Sequence, residues 1–102
     1  MKVYQQGDIL FKEVKEVPRG DTKIIETGIL AEGEATGHHH RIMPNKDVRA
    51  AQIGAALYVI AHTAARILHE EHKEIMLPPG VYFVDRVKEY DHFKEESRMV
   101  AD

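Results

Sequence analysis

Glycine and proline cut this chain into short apolar runs, and that punctuation limits it to folds built from short strands. Asp8 to Val17 alternates as a strand does, with Ile9, Phe11 and Val14 set among Lys12, Glu13 and Lys15. Pro18-Arg19-Gly20-Asp21 is a turn cluster. A β-branched run from Lys23 to Ala31 follows, broken by Gly28, and a glycine inside a strand pattern marks a bulge or a close backbone approach. Gly33 and Gly37 continue the punctuation, and Pro44-Asn45 ends it. Farther on, Glu74 to Leu77 reads as a short strand and Pro78-Pro79-Gly80 as a type II turn with positive φ at the glycine. Val81 to Val87 is a clear strand. The charged tail from Asp91 reads as a frayed or short helical end.

Val48 to His72 is ambiguous. Its many alanines favour helix on intrinsic propensity, whereas Gly54, Tyr58-Val59-Ile60 and Thr63 favour strand and turn. The expectation is a loop or short helix over Asp47 to Ile53, then strands near Leu57 to Ala61 and Ala65 to Glu70, with a single amphipathic helix as the alternative. The fold expected for residues 1–102 is therefore one all-β domain, a small β-barrel or sandwich with room for one short helix.

A chain of 102 residues with only seven aromatic side chains and no tryptophan builds a modest core, and self-association into a homo-oligomer would supplement it. The net charge of −3 and the scattered basic residues give no footprint for nucleic acid. There is no cysteine, which excludes disulfides, thiolate metal sites and cysteine nucleophiles. The start, Met1-Lys2-Val3-Tyr4-Gln5-Gln6-Gly7-Asp8, lacks the apolar run of a signal peptide, and no segment has the length of a membrane span. The expectation is a cytoplasmic protein with no membrane partner.

The chemistry concentrates in histidine. In Gly37-His38-His39-His40 read as a strand, alternation points His38 and His40 one way and His39 the other. Imidazole is the commonest protein ligand for transition metals, so two on one face make half a site. His69 or His72, from a hairpin of Ala65–Glu70 with Glu74–Leu77, would complete it. The candidate metal ligands are thus His38, His40, His69 and His72, and the cofactor a divalent transition metal such as zinc, nickel, iron or manganese. Glu70 or Glu71 would ligate or orient an imidazole. Three protein ligands would leave a position for an acidified water, which is hydrolase or isomerase territory, on a small-molecule substrate that the sequence does not specify.

With these residues in view, the chain resembles a family of short, largely uncharacterised prokaryotic proteins. They share tracts like Gln6-Gly7-Asp8-Ile9-Leu10, Ala31-Glu32-Gly33-Glu34-Ala35-Thr36-Gly37-His38, Leu68-His69-Glu70-Glu71-His72, Leu77-Pro78-Pro79-Gly80-Val81-Tyr82 and Glu89-Tyr90-Asp91. The resemblance spans nearly the whole chain and implies no particular activity. A broader resemblance is to the cupins, metal-binding β-barrels with a strand-borne His-x-His, which His38-His39-His40 supplies. Pro78-Pro79-Gly80 is similar to the turn before the final cupin histidine. Phe83 stands in place of that histidine, and no Glu follows His40 at the cupin distance.

The competing reading makes both histidine tracts solvated turn residues, paired electrostatically with Glu32 and Glu34, in a non-catalytic interaction or structural accessory module. Other residues add little. His62 and His92 stand alone as surface histidines, and Ser97, the single serine, lies in the tail away from any triad. Gly28, Gly33 and Gly37 are not followed by the Gly-Lys-Ser/Thr of a phosphate loop. Tyr82, Phe83 and Tyr90 are alternating positions of which two face a core, and Asp85, Glu89 and Asp91 read as a solvated face. A single-strand nucleic-acid binder is disfavoured by the acidic balance.

Overall fold

The computed structural model describes residues 1–32 and 37–87. The expected helical tail, and the readings of Gly33, Glu34, Glu89, Tyr90, Asp91, His92 and Ser97, lie outside the described residues. Those residues are all-β, with strands β1 (Val3–Gln6), β2 (Ile9–Val14), β3 (Thr22–Ile24), β4 (Ile29–Glu32), β5 (His39–Arg41), β6 (Val48–Ile53), β7 (Ala56–Ala61), β8 (Ala65–Ile67), β9 (Ile75–Leu77) and β10 (Gly80–Arg86). No helix occurs among them, so none is long and apolar enough to cross a membrane.

Six strands make one antiparallel sheet in the order β1-β2-β10-β7-β6-β3. Its edges, β1 and β3, do not pair with each other, so the sheet is open and the barrel alternative is not realised. Two hairpins, β4-β5 and β8-β9, face it. A pair of backbone bonds between Arg41 and Leu68 (3.0 and 2.8 Å) joins these hairpins to each other. The core lies between the sheet and the hairpins. Ile9, Phe11, Val48, Ala50, Val59, Ala61 and Tyr82 come from the sheet, and Leu30, Ile42, Ala65, Ile67 and Leu77 from the hairpin side.

Several local expectations are corrected. Val48 to Ile53 is a strand, not a loop or short helix. Gly54, at φ 62°, opens a two-residue turn that pairs Ile53 with Ala56, and such turns join twisted antiparallel strands. The alanines serve packing: Ala50 lies opposite Val59, which lies opposite Tyr82, and this large buried ring needs small neighbours in its layer. Lys23 to Ala31 is two strands of different sheets, β3 and β4. β8 stops at Ile67 rather than continuing to Glu70, which puts His69 in the same loop as His72.

The turn at Pro78-Pro79-Gly80 is not type II, because Gly80 has no positive φ and already belongs to β10. A Cβ on Gly80 would stand 3.3 Å from the Tyr82 hydroxyl, which donates to the Pro78 carbonyl. Close approach of that phenol, not backbone handedness, accounts for glycine there. Phe83 packs on Tyr58 at a ring separation of 5.7 Å on the opposite face from Tyr82.

Gly28 does carry the close approach read from the sequence. Its φ is 75°, its carbonyl accepts from the Ile42 N–H at 2.9 Å, and an added Cβ would collide with the Ile42 carbonyl oxygen. This contact starts the β4-β5 pair and so places the histidine strand. Gly28→Ala is expected to cost about 2 kcal/mol of stability through left-handed strain and that collision, read as a lowered Tm. An unchanged Tm would contradict it.

Candidate metal centre

The centre assembles from three segments of the chain. The first is Gln6-Gly7-Asp8, where Gly7-Asp8 forms the two-residue turn between β1 and β2 with Gln6 paired to Ile9. Positive φ at the first turn residue only (57° at Gly7) is the II′ pattern that glycine supplies without strain. The second is β5, which carries His40 inward opposite Ala31 of β4. The third is the loop from β8 to β9, which holds His69 and His72.

His40 is 1% exposed, and Gln6 and Asp8 are buried beside it. The Gln6 amide nitrogen donates to the carbonyls of Ile67 (2.9 Å) and Lys73 (3.0 Å), so its oxygen must be the atom facing His40 Nδ1 at 2.9 Å. An amide oxygen only accepts, and Nδ1 therefore carries the proton. Burial, reinforced by His69, lowers the His40 pKa from 6.5 to about 4, with Asp8 pulling the other way. A neutral ring protonated at Nδ1 leaves a lone pair on Nε2. That lone pair faces Asp8 Oδ1 at 3.5 Å, while Asp8 Oδ2 accepts from Arg86 Nη1 at 2.7 Å. Two electron-pair donors thus confront each other across a gap.

His69 and His72 close the pocket. The His69 ring lies 4.4 Å from that of His40 and 4.5 Å from that of His72, and His72 stacks on His40 at 5.7 Å. One nitrogen from each of His40, His69 and His72 falls within 4.8 Å of the others, so this group could hold a metal ion. Gly7 makes room for it, since a Cβ there would sit 2.6 Å from His72 Nε2. His69 Nδ1 accepts from the backbone N–H of Glu71 (3.0 Å) and of His72 (3.3 Å), which fixes the loop and puts the His69 proton on Nε2. That Nε2 is buried with no hydrogen-bond partner. Burial, then repulsion from His72, lowers the His69 pKa.

His38 lies outside the three-histidine group. Its ring meets His69 edge-on at 5.7 Å, and its Nδ1 is 3.2 Å from the Glu71 carboxylate. His38 and His40 therefore both reach His69, although His38 lies just before β5, which begins at His39 rather than spanning the whole histidine run. The acidic residues of the loop face outward from the group. Glu70 accepts from the His39 N–H at 2.8 Å and pairs with Arg41 at 2.9 Å, and the His39 bond leads in holding its carboxyl down at about 2. Glu32 enters through its backbone, its carbonyl accepting from Arg86 Nη2 at 3.1 Å. His62 is exposed.

Gln6, Asp8 and Arg86 went unrecognised in the sequence. The signal for the first two was present: a Gly-Asp pair between Val3-Tyr4-Gln5-Gln6 and Ile9-Leu10-Phe11 is a hairpin turn. Such a turn at a sheet end presents its aspartate to whatever packs there. Arg86 had no signal, because its role depends on β10 lying beside β2.

The chain belongs to the family described as Domain of unknown function (DUF8820), which matches residues 5–87 and so contains every residue of the centre. No curated protein and no solved structure matches it.

The depressed His40 pKa makes the metal-free protein acid-sensitive. The unfolded chain takes up a proton at this position near pH 6.5, and the folded one only near 4, so acid favours unfolding across that window. Stability should fall by on the order of 2 kcal/mol between pH 7 and pH 4 from this group. Thermal melts of chelator-treated protein should show a declining Tm over that range, and a smaller decline in His40→Gln. A wild-type Tm that is flat with pH would contradict the assignment.

Proposed function

We propose that this member of the DUF8820 family binds a divalent transition metal through His40, His69 and His72, with His38 beside them and Asp8 available as an oxygen ligand. The observation that carries the reading is the bare Nε2 of His40 facing Asp8 Oδ1 at 3.5 Å. Uncompensated, two lone pairs at that distance repel, whereas a cation between them is attracted to both. Zinc ligands sit about 2.0–2.2 Å from the metal, so two of them at a tetrahedral angle stand about 3.4 Å apart. The Gln6 bond to His40 Nδ1 is the kind of outer contact that orients a ligating imidazole and raises its basicity.

His69 contributes differently. Its Nε2 proton must leave, or move to Nδ1 at the expense of the Glu71 and His72 backbone bonds, before Nε2 can ligate. Metal uptake by that tautomer shift accordingly costs the loop two backbone bonds and releases no proton. An imidazole-rich set with a carboxylate suits zinc, nickel or iron(II) better than magnesium or calcium. The three histidines with Asp8 make a closed four-ligand set, so an enzymatic role would require Asp8 to give up its place to a water that the metal acidifies.

The rival is a metal-free interaction or structural module in which the histidines only fill a polar pocket. It draws on the ion pair of Glu70 with Arg41, which matches that loop carboxylate without a metal. Elemental analysis of tag-free protein, purified without a nickel column, separates the two. Near-stoichiometric metal in wild type, lost in His40→Ala and in His72→Ala, is expected. Wild-type protein that carries none and takes up none of zinc, nickel, iron(II) or manganese would overturn the reading.

A further inference from the structure

Arg86 faces two ways. It ends β10 opposite Ile9 of β2, and its guanidinium bonds Asp8 Oδ2 at 2.7 Å and the Glu32 carbonyl at 3.1 Å. The Asp8 side of that contact belongs to the histidine centre. On its other side Arg86 lines a cavity of about 610 Å³, walled by Ile9, Leu30, Ala31, Leu57 and Val84. This volume lies within the range of about 300–1,000 Å³ typical of small-molecule sites, and apolar walls with one or two placed polar groups are their usual lining. Val84 lies opposite Leu57 and Arg86 opposite Ile9, so the cavity is the open end of the core layer between the sheet and β4. Asp85, also at the rim, is matched by Lys12 Nζ at 2.9 Å.

We propose that this cavity binds a small amphipathic carboxylate, its apolar body against Ile9, Leu30, Leu57 and Val84 and its carboxylate on the Arg86 guanidinium, next to the metal centre. The carboxylate position follows from the cavity and Arg86 alone; its proximity to a metal rests on the function proposed above. The guanidinium half-exposed at the rim has donors beyond the two bonds it makes, and a planar fork suits a carboxylate.

The two sites are linked by charge. In the metal-free protein Asp8 balances Arg86. A cation held by His40 and Asp8 draws on the same carboxylate, and Arg86 is left as an unbalanced positive charge at the polar end of an apolar cavity. A carboxylate ligand restores the balance, so metal and ligand each tighten the binding of the other by the same factor.

Calorimetric titration of the full chain with octanoate and with 1-octanol, with and without zinc, tests this. Octanoate is expected to bind one per chain at least about tenfold more tightly than octanol, and more tightly still with zinc, as a charge-assisted bond to Arg86 requires. Arg86→Met should remove the preference for octanoate while octanol binding persists. Leu57→Trp, which fills the cavity, should weaken both ligands alike, with folding of each variant checked by its Tm. Equal binding of the two ligands, octanoate binding unaffected by Arg86→Met, or no octanoate binding in any form would overturn the proposal. Wild type that takes up none of zinc, nickel, iron(II) or manganese yet binds octanoate through Arg86 would uphold the cavity site and remove the metal centre, so the two failures are distinguishable.

Discussion

The side-chain amide of Gln6 is the contact on which the arrangement of this molecule depends. Its nitrogen ties the end of β8 to the loop before β9 through the carbonyls of Ile67 and Lys73, and its oxygen fixes the proton of His40 on β5. Three chain segments far apart in sequence are thereby held around one buried group. The bonds to Ile67 and His40 are made away from water, where a lost partner leaves the other unsatisfied at a cost of about 1–3 kcal/mol apiece. The amide also acts as an electronic constraint. By accepting at Nδ1 it commits His40 to a single tautomer, with its lone pair turned toward Asp8.

From that commitment the character of the site follows. A histidine that is buried and neutral cannot satisfy a neighbouring carboxylate by donating from Nε2, because the proton is on the other nitrogen. Asp8 is answered instead by Arg86, which reaches across from the last strand and also bonds the β4 backbone. The Asp8–Arg86 pair is therefore the hinge between a polar pocket of three rings and an apolar cavity at the core mouth. The six-stranded sheet supplies Asp8 and Arg86, and the two facing hairpins supply the histidines. Neither layer contains the site alone.

Much of this was legible in the sequence, and what was not has identifiable causes. The β class, the strand after Pro79, the break at Gly28 and the meeting of histidines from two tracts all rest on local pattern, and local pattern survived folding. Val48–Ile53 was misread because alanine signals helix when taken alone. Here Ala50 is small so that the sheet can pass the buried Tyr82, a reason visible only once β6, β7 and β10 are neighbours. His69 joins His72 in the loop rather than ending a strand because His69 Nδ1 captures two following backbone N–H groups and turns the chain. Arg86 is a partner of Asp8 across almost the entire chain, and no pattern of spacing announces such a pair.

The central claim is the tautomer of His40, and nitrogen-15 NMR of the imidazoles in metal-free protein at neutral pH reads it directly. A His40 ring protonated at Nδ1 with an unprotonated Nε2 is expected, with a shift of the Nε2 resonance when zinc is added. A His40 ring protonated at Nε2, or an Nε2 resonance indifferent to zinc, nickel, iron(II) and manganese alike, would contradict it.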